Sequence, residues 1–278
     1  SWRWRCLWTV CDHGRMRCDK YLFEQGYAKS RSAAETLIRE GNVRLDGRTV
    51  SKPSLDVDET REHLVEITGG CPYVSRGGFK LAAALEAFAI DVTGLTALDV
   101  GASTGGFTDC LLQNGATRVF SVDSGAGQMD ASLLADQRVT NIEKYNARDM
   151  KRSDFDRRID IAVMDVSFIS QTLILPRLAE VLDEGAVLVS LIKPQFEAGR
   201  AAIGKNGLVK SKKERLAAAL RVLECASALG FGCFGFAPSP IEGGDGNREY
   251  IAAFRRGGAS LVDAVPVKRI IEGENERR

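Results

Sequence analysis

One stretch constrains this chain more than any other: Ala97-Leu98-Asp99-Val100-Gly101-Ala102-Ser103-Thr104-Gly105-Gly106-Phe107-Thr108. Its apolar start suits a buried strand and its small residues suit a tight turn. Its continuation through Asp109-Cys110-Leu111-Leu112 suits a helix. Strand, glycine-rich turn and helix open a doubly wound nucleotide-binding sheet. The same pattern also serves as a plain tight turn with no ligand. Asp123 weighs against the plainer reading. It ends the next apolar run, 118–122, and lies 22 positions after Gly101. A carboxylate there can accept hydrogen bonds from both hydroxyls of a ribose.

The turn also discriminates between cofactors. A dinucleotide fingerprint reads G-x-G-x-x-G, and here Ser103 replaces the glycine that would let the backbone meet a pyrophosphate. Asp99 at the strand end would repel a diphosphate but can face a sulfonium or an amino group. Both features favour S-adenosyl-L-methionine over NAD. The cofactor-binding candidates are therefore Asp99, Gly101, Ser103, Thr104, Gly105, Gly106 and Phe107 around the turn, and Asp123 for the ribose. Asn146, with Asp149 as a weaker candidate, follows the third strand, where this fold reads the base.

Apolar runs near 96–101, 118–123, 139–145, 159–165, 186–193, 231–237 and 249–255 alternate with helical patterns near 105–114, 128–135, 168–182 and 212–229. That rhythm predicts a mostly parallel sheet with helices on both faces. The loop between the last two strands is too short for a parallel crossover, so the last strand should run antiparallel. Another helix is expected from about Phe79 to Ile90, with Lys80 in its first turn. A cation there opposes the helix dipole, which leaves an ordinary surface lysine or one held close to chemistry. Asp165, Lys193 and Glu249 stand at strand ends, where open α/β sheets bind ligands. Together with Lys80 they could converge beside the cofactor.

Composition narrows the alternatives. A net charge of +1 gives no global pull toward polyanions, so a nucleic-acid site must be a local patch. No apolar run approaches the ~20 residues of a membrane span. The seven cysteines contain no C-x-x-C pair, and with only His13 and His63 available no metal site is expected. Buried reduced thiols suit a cytoplasmic protein.

Before the sheet lies a smaller unit. Residues 1–15 follow no helical or strand period and hold all three tryptophans, so they read as an extension, with an RNA-contacting arm as the alternative. From 16 to 68 the pattern gives two short helices, a hairpin closed by Asp46-Gly47, and a final strand at 64–67. Ser30 or Ser32 caps the second helix. Residues 15–52 carry nine basic and five acidic side chains, a local excess of four. Arg17-Cys18-Asp19-Lys20-Tyr21-Leu22, the run Ser30–Gly47 and Lys52-Pro53 together resemble the S-four RNA-binding domain, or alpha-L motif. Cys18 stands where that family more often has a leucine. The resemblance implies RNA contacts by Arg17, Lys20, Lys29, Arg31, Arg39 and Arg44. Arg76 and Lys205 join them as RNA-binding candidates outside this unit, Lys205 lying on a basic, glycine-rich loop (199–210) that could close over RNA or be plain surface.

Ser75-Arg76-Gly77-Gly78-Phe79-Lys80, the stretch from Asp99 to Thr108, Met164-Asp165-Val166-Ser167-Phe168, Leu191-Ile192-Lys193-Pro194-Gln195-Phe196-Glu197 and Gly246-Asn247-Arg248-Glu249-Tyr250 resemble the TlyA family, in family order from about 16 to 256. That family, sometimes labelled hemolysin, joins an S-four domain to an FtsJ-like ribose methyltransferase domain. The resemblance implies a Rossmann-like seven-stranded methyltransferase sheet at 77–256, while Gly69-Gly70-Cys71-Pro72 breaks structure and marks a linker at 69–76, and the polar stretch 257–278 reads as a flexible tail. It also implies S-adenosyl-L-methionine as cofactor, with ribosomal RNA and ribosomal subunits as partners. The activity implied is 2′-O-methylation of a cytidine in the large subunit and, in some members, the small subunit. Its catalytic tetrad falls on Lys80, Asp165, Lys193 and Glu249, with Asp165 also beside the cofactor. In this reading neutral Lys193 takes the hydroxyl proton and Lys80 stabilises the alkoxide. Asp165 orients the base and the methyl group, and Glu249 holds Lys80 or a ribose hydroxyl. Which lysine is the base stays open. The rivals are a non-catalytic RNA-binding protein, a membrane-active hemolysin and an NAD oxidoreductase.

Overall fold

The computed structural model describes residues 15–25, 27–28, 30–58, 63–67, 73–199, 204, 208–209, 211–241, 247–259 and 266–273. The chain divides into two compact units, residues 1–72 and 73–278.

In the first unit β1 (Met16–Arg17) runs directly into α1 (Cys18–Glu24), and α2 (Arg31–Arg39) follows. Ser30 Oγ accepts from the Ala33 N–H at 3.1 Å, so Ser30 is the cap. Beyond α2 come β2 (Val43–Leu45), β3 (Arg48–Thr49), β4 (Asp56–Val57) and β5 (Val65–Ile67). β2 pairs antiparallel with both β3 and β5, and β4 returns to β1, a two-residue ladder too short to leave a sequence pattern. Asp46 and Gly47 take φ of 51° and 77°, the two left-handed positions that the tightest hairpin turn needs. Leu22, Ile38, Val43 and Val57 form the small core. Asp19 is buried beside it. It accepts from Arg17 at 3.0 Å to each oxygen, from Arg31 Nε at 2.8 Å and from the Lys20 N–H at 3.0 Å. Burial alone would raise its carboxyl, but these donors hold it well below the usual carboxylate range.

The second unit begins with α3 (Gly77–Ala87), shorter than expected because Ala89 takes a left-handed φ of 50°. It continues β6 (Thr96–Val100), α4 (Gly106–Gln113), β7 (Arg118–Val122), α5 (Ala131–Leu134), β8 (Val139–Ile142), β9 (Ile161–Met164), α6 (Leu175–Val181), β10 (Val187–Ile192), α7 (Pro194–Glu197), α8 (Lys212–Ala228), β11 (Phe231–Pro238), β12 (Tyr250–Arg256) and α9 (Val267–Glu272). The sheet order is β11-β12-β10-β9-β6-β7-β8. Every pairing is parallel except those of β12, which runs antiparallel between β10 and β11. This is the seven-stranded methyltransferase sheet with its antiparallel last strand.

Strand alternation splits the core into two layers. Leu98, Val100, Ala162, Met164 and Leu188 pack on one face with α6 and α8, while Ala97, Val119, Ile161, Val163 and Val189 pack on the other with α3 and α4. Two expectations need correction. The helix expected at 168–182 is a single 3-10 turn at Gln171–Leu173 followed by α6, because Pro176 fits only the first turn of a helix. The expected flexible tail contains α9, whose Val267 and Ile271 are buried. An apolar pair four residues apart gives that short segment a face to bury.

Candidate active site

The site follows from the strand order. The chain moves from β6 outward through β7 and β8, and then β9 takes the other edge of β6. Their carboxyl ends part at this switch, where open α/β sheets hold ligands. Gly101 leaves β6 with φ +85°, and a Cβ there would come 2.6 Å from the Asp165 carbonyl oxygen. The Asp165 N–H donates to the Val100 carbonyl at 3.0 Å, so the two strand ends stay in register up to the point of separation.

A cavity of about 330 Å³ opens there, and Lys80, Asp165, Lys193 and Glu249 all line it. Lys80 comes from the first turn of α3, Asp165 from the end of β9, Lys193 from the end of β10, and Glu249 immediately precedes β12. Lys80 Nζ donates to Glu249 Oε2 at 2.6 Å. Lys193 Nζ lies 2.6 Å from Asp165 Oδ1 and donates to Ser167 Oγ at 2.8 Å. Lys193 and Glu249 are buried, and the Lys80 side chain is only 11% exposed. The result is two cation–carboxylate pairs facing one cavity that is open to solvent on one side. Arg76, exposed at the N-terminus of α3, stands at its wall with Thr104, Gly106 and Phe107.

A second cavity of about 380 Å³ shares Gly101, Ser103, Asp165 and Ser167 with the first and adds Asp123, Gln128, Tyr145 and Asn146. Asp123 accepts from the Ser103 N–H at 2.8 Å and the Gly125 N–H at 2.7 Å, one on each oxygen. A carboxylate has about four acceptor sites, so it can still take two ribose hydroxyls. Asn146 Oδ1 accepts from the Arg148 N–H at 3.1 Å as a cap, which leaves its amide donors for a base. Two adjoining cavities, with a carboxylate in the second and a glycine where no side chain would fit between them, suit an adenosine that carries a charged sulfur toward the tetrad.

Not every expected residue reaches this space. Asp99 lines neither cavity. It is fully buried on the α4 side of the sheet, where Oδ2 accepts from Thr108 Oγ1 at 2.7 Å and Thr108 in turn meets Ser121 Oγ at 2.7 Å. Oδ1 meets no donor among the described residues. Burial, with Asp165 adding to it, pushes the Asp99 carboxyl up to about 7. The strand pleat explains the misplacement, since residue 99 shares its face with residue 97. Gly105 is the N-cap of α4 and lines neither cavity either.

Among the basic candidates, Arg17 and Arg31 are held on Asp19. Lys20 lies 3.5 Å from Glu24, Arg39 3.6 Å from Glu35 and Arg44 3.9 Å from Glu66, all about half-exposed or more on the cationic side. Lys29 and Lys205 lie outside the described residues. Sequence reasoning missed Ser167 and Phe168. Phe168 is 91% exposed at φ +64°, at the rim of the second cavity, with its ring 5.1 Å from that of Phe196. Both stand in the stretch Met164–Phe168 that carries part of the family resemblance, and an aromatic three residues after a strand-end aspartate was the available signal.

The profile described as FtsJ-like methyltransferase matches residues 73–256, and that of the S4 domain matches residues 16–62. A Mycobacterium tuberculosis protein named 16S/23S rRNA (cytidine-2′-O)-methyltransferase TlyA is 42% identical over 241 residues, covering 87% of this chain and 90% of its own length. The chain belongs to the TlyA family. A second family member, Hemolysin A of Brachyspira hyodysenteriae, is 40% identical over 86% of this chain and 99% of its own. A solved structure from Streptococcus thermophilus, described as a hemolysin candidate, is 37% identical with a TM-score of 0.72, covering 94% of this chain and 95% of that one. Membership makes this an S-adenosyl-L-methionine-dependent methyltransferase with an S4 domain. Among the described residues no helix is long and apolar enough to cross a membrane.

Proposed function

We propose that this protein methylates the ribose 2′-hydroxyl of a cytidine in ribosomal RNA of the large subunit, and of the small subunit as well. The observation that carries the reading is the gathering of Lys80, Asp165, Lys193 and Glu249 around one cavity that continues into the nucleotide slot. The name of the Mycobacterium tuberculosis relative supports ribosomal cytidine as the acceptor.

Gly101 and Ser103 would hold the cofactor along the backbone, Asp123 its ribose and Asn146 its base. Bound there, S-adenosyl-L-methionine supplies an electrophilic methyl group on a positively charged sulfur that leaves as a neutral thioether. The protein's own task is to orient a very weak acid and remove its proton as the new C–O bond forms. In this proposal Lys193 Nζ receives the 2′-hydroxyl proton. Asp165, which lines both cavities and is 2.6 Å away, holds that nitrogen and stabilises the resulting ammonium. Lys80, fixed by Glu249, faces the charge that builds on the oxygen. Arg76 at the wall suits a phosphate of the same strand, and Phe168 offers a ring face on which an unstacked base can lie.

The test is transfer of labelled methyl groups from the cofactor to purified ribosomal subunits. Lys193→Ala and Asp165→Ala should each lower turnover at least about 100-fold. Lys193→Ala should leave S-adenosylhomocysteine binding within about threefold. Near-normal turnover in both variants would contradict the proposal.

A further inference from the structure

Lys193 has two polar neighbours, and they do different things. Asp165 Oδ1 is 2.6 Å from Nζ but off the direction of a hydrogen bond, so it attracts the nitrogen without setting its rotation. The directed bond goes to Ser167 Oγ at 2.8 Å. An amine that accepts a proton must aim its lone pair, and that aim is fixed by where its N–H groups point. We infer that Ser167 is a positioning residue for the methyl transfer, holding one N–H of Lys193 so that the lone pair faces the ribose hydroxyl. This rests on the proposed function above.

The hydroxyl can do this because its own segment is pinned to the one that carries Lys193. Ser170 Oγ donates to Glu197 Oε2 at 2.5 Å, and the Gln171 N–H donates to Glu197 Oε1 at 2.9 Å. Gln171 Nε2 donates to the Leu191 carbonyl at 2.5 Å, and Ser190 Oγ donates to Gln171 Oε1 at 2.5 Å. Glu197, Gln171 and Ser190 are all buried. Glu197 closes the short helix that Lys193 starts, so the loop after β9 and the turn after β10 are tied together by residues that line neither cavity. Ser167 stands three residues before Ser170 on the same loop and lines both cavities.

The test compares Ser167→Ala and Ser167→Thr in the full chain, with ribosomal subunits as acceptor. Turnover, S-adenosylhomocysteine affinity and melting temperature are measured for each. Ser167→Ala should lower kcat about 10- to 100-fold. Cofactor affinity should stay within about twofold and the melting temperature within about 2 °C. Ser167→Thr, which keeps the hydroxyl, should recover most of the lost kcat. The inference is overturned by an alanine variant within twofold of wild type, by equal losses in both variants, or by a kcat loss that tracks lost cofactor affinity or stability. A wild-type chain that transfers no methyl group overturns the proposed function together with this inference. An active wild type with a fully active alanine variant overturns this inference alone.

Discussion

Two buried aspartates show how the same side chain is handled in opposite ways. Asp99 sits among apolar strands with one oxygen bonded to Thr108, and its carboxyl is pushed up to about 7. The folded chain therefore holds a proton there that the unfolded chain releases near pH 4. Between those values stability falls as pH rises, by up to about 1.4 kcal/mol per pH unit from this group. Asp99→Asn should flatten that slope in denaturant melts between pH 4 and 7, while a slope unchanged by the substitution would contradict the assignment. Asp19 is also buried, but three donor groups surround it and hold its carboxyl low. Its contribution is complete above about pH 4 and disappears as pH falls below that. Asp19→Asn should cost about 1–3 kcal/mol of local stability at neutral pH, read as faster amide exchange over residues 16–57. Exchange equal to wild type would show that Arg17 and Arg31 are not held by it. At this scale the four residues that the family resemblance singled out, and that strand ends and a first helical turn made candidates, line one cavity. It misjudged Asp99 because a polar residue near a strand end looks the same whether the pleat turns it toward a ligand or into the core.

Among the elements, the turn after β6 is the one on which the proposed cofactor slot depends. Gly101→Ala would put a methyl group against the Asp165 carbonyl in a backbone conformation that costs alanine about 1–3 kcal/mol. We expect at least a tenfold loss of S-adenosylhomocysteine affinity, measured by calorimetry, together with a lower melting temperature. Unchanged affinity would mean that the cofactor lies elsewhere. The strand–helix rhythm was legible because apolar runs bounded by glycine leave little choice of element. The exceptions are physical. The segment 168–174 starts with a left-handed Phe168 and meets Pro176, so helical periodicity there overstated the helix. α9 hides in a polar stretch because only Val267, Ile270 and Ile271 carry its apolar face. The brace of Ser170, Gln171, Ser190 and Glu197 was not legible, since only Glu197 stands in a family motif and the four share no period, being joined across the β9 and β10 ends by the fold.

For the whole molecule, a net charge of +1 hides an uneven distribution. Arg39 and Arg44 are paired only at 3.6 and 3.9 Å and are half-exposed or more, and such surface pairs release their cations cheaply to a phosphate. Arg39→Glu combined with Arg44→Glu should weaken binding to ribosomal subunits about tenfold or more at low salt and flatten its salt dependence, with S-adenosylhomocysteine affinity unchanged. Equal affinity for the subunits in filter-binding titrations would remove these two residues from the RNA surface.

The central claim is that four charged side chains on four separate elements serve one reaction at a ribose oxygen. Nucleoside mass spectrometry of ribosomal RNA, after incubation with isotopically labelled S-adenosyl-L-methionine, tests it most directly. We predict label in 2′-O-methylcytidine with the wild-type chain and none with Lys193→Ala. Label on a base, or equal 2′-O-methylcytidine from the two proteins, would contradict the account.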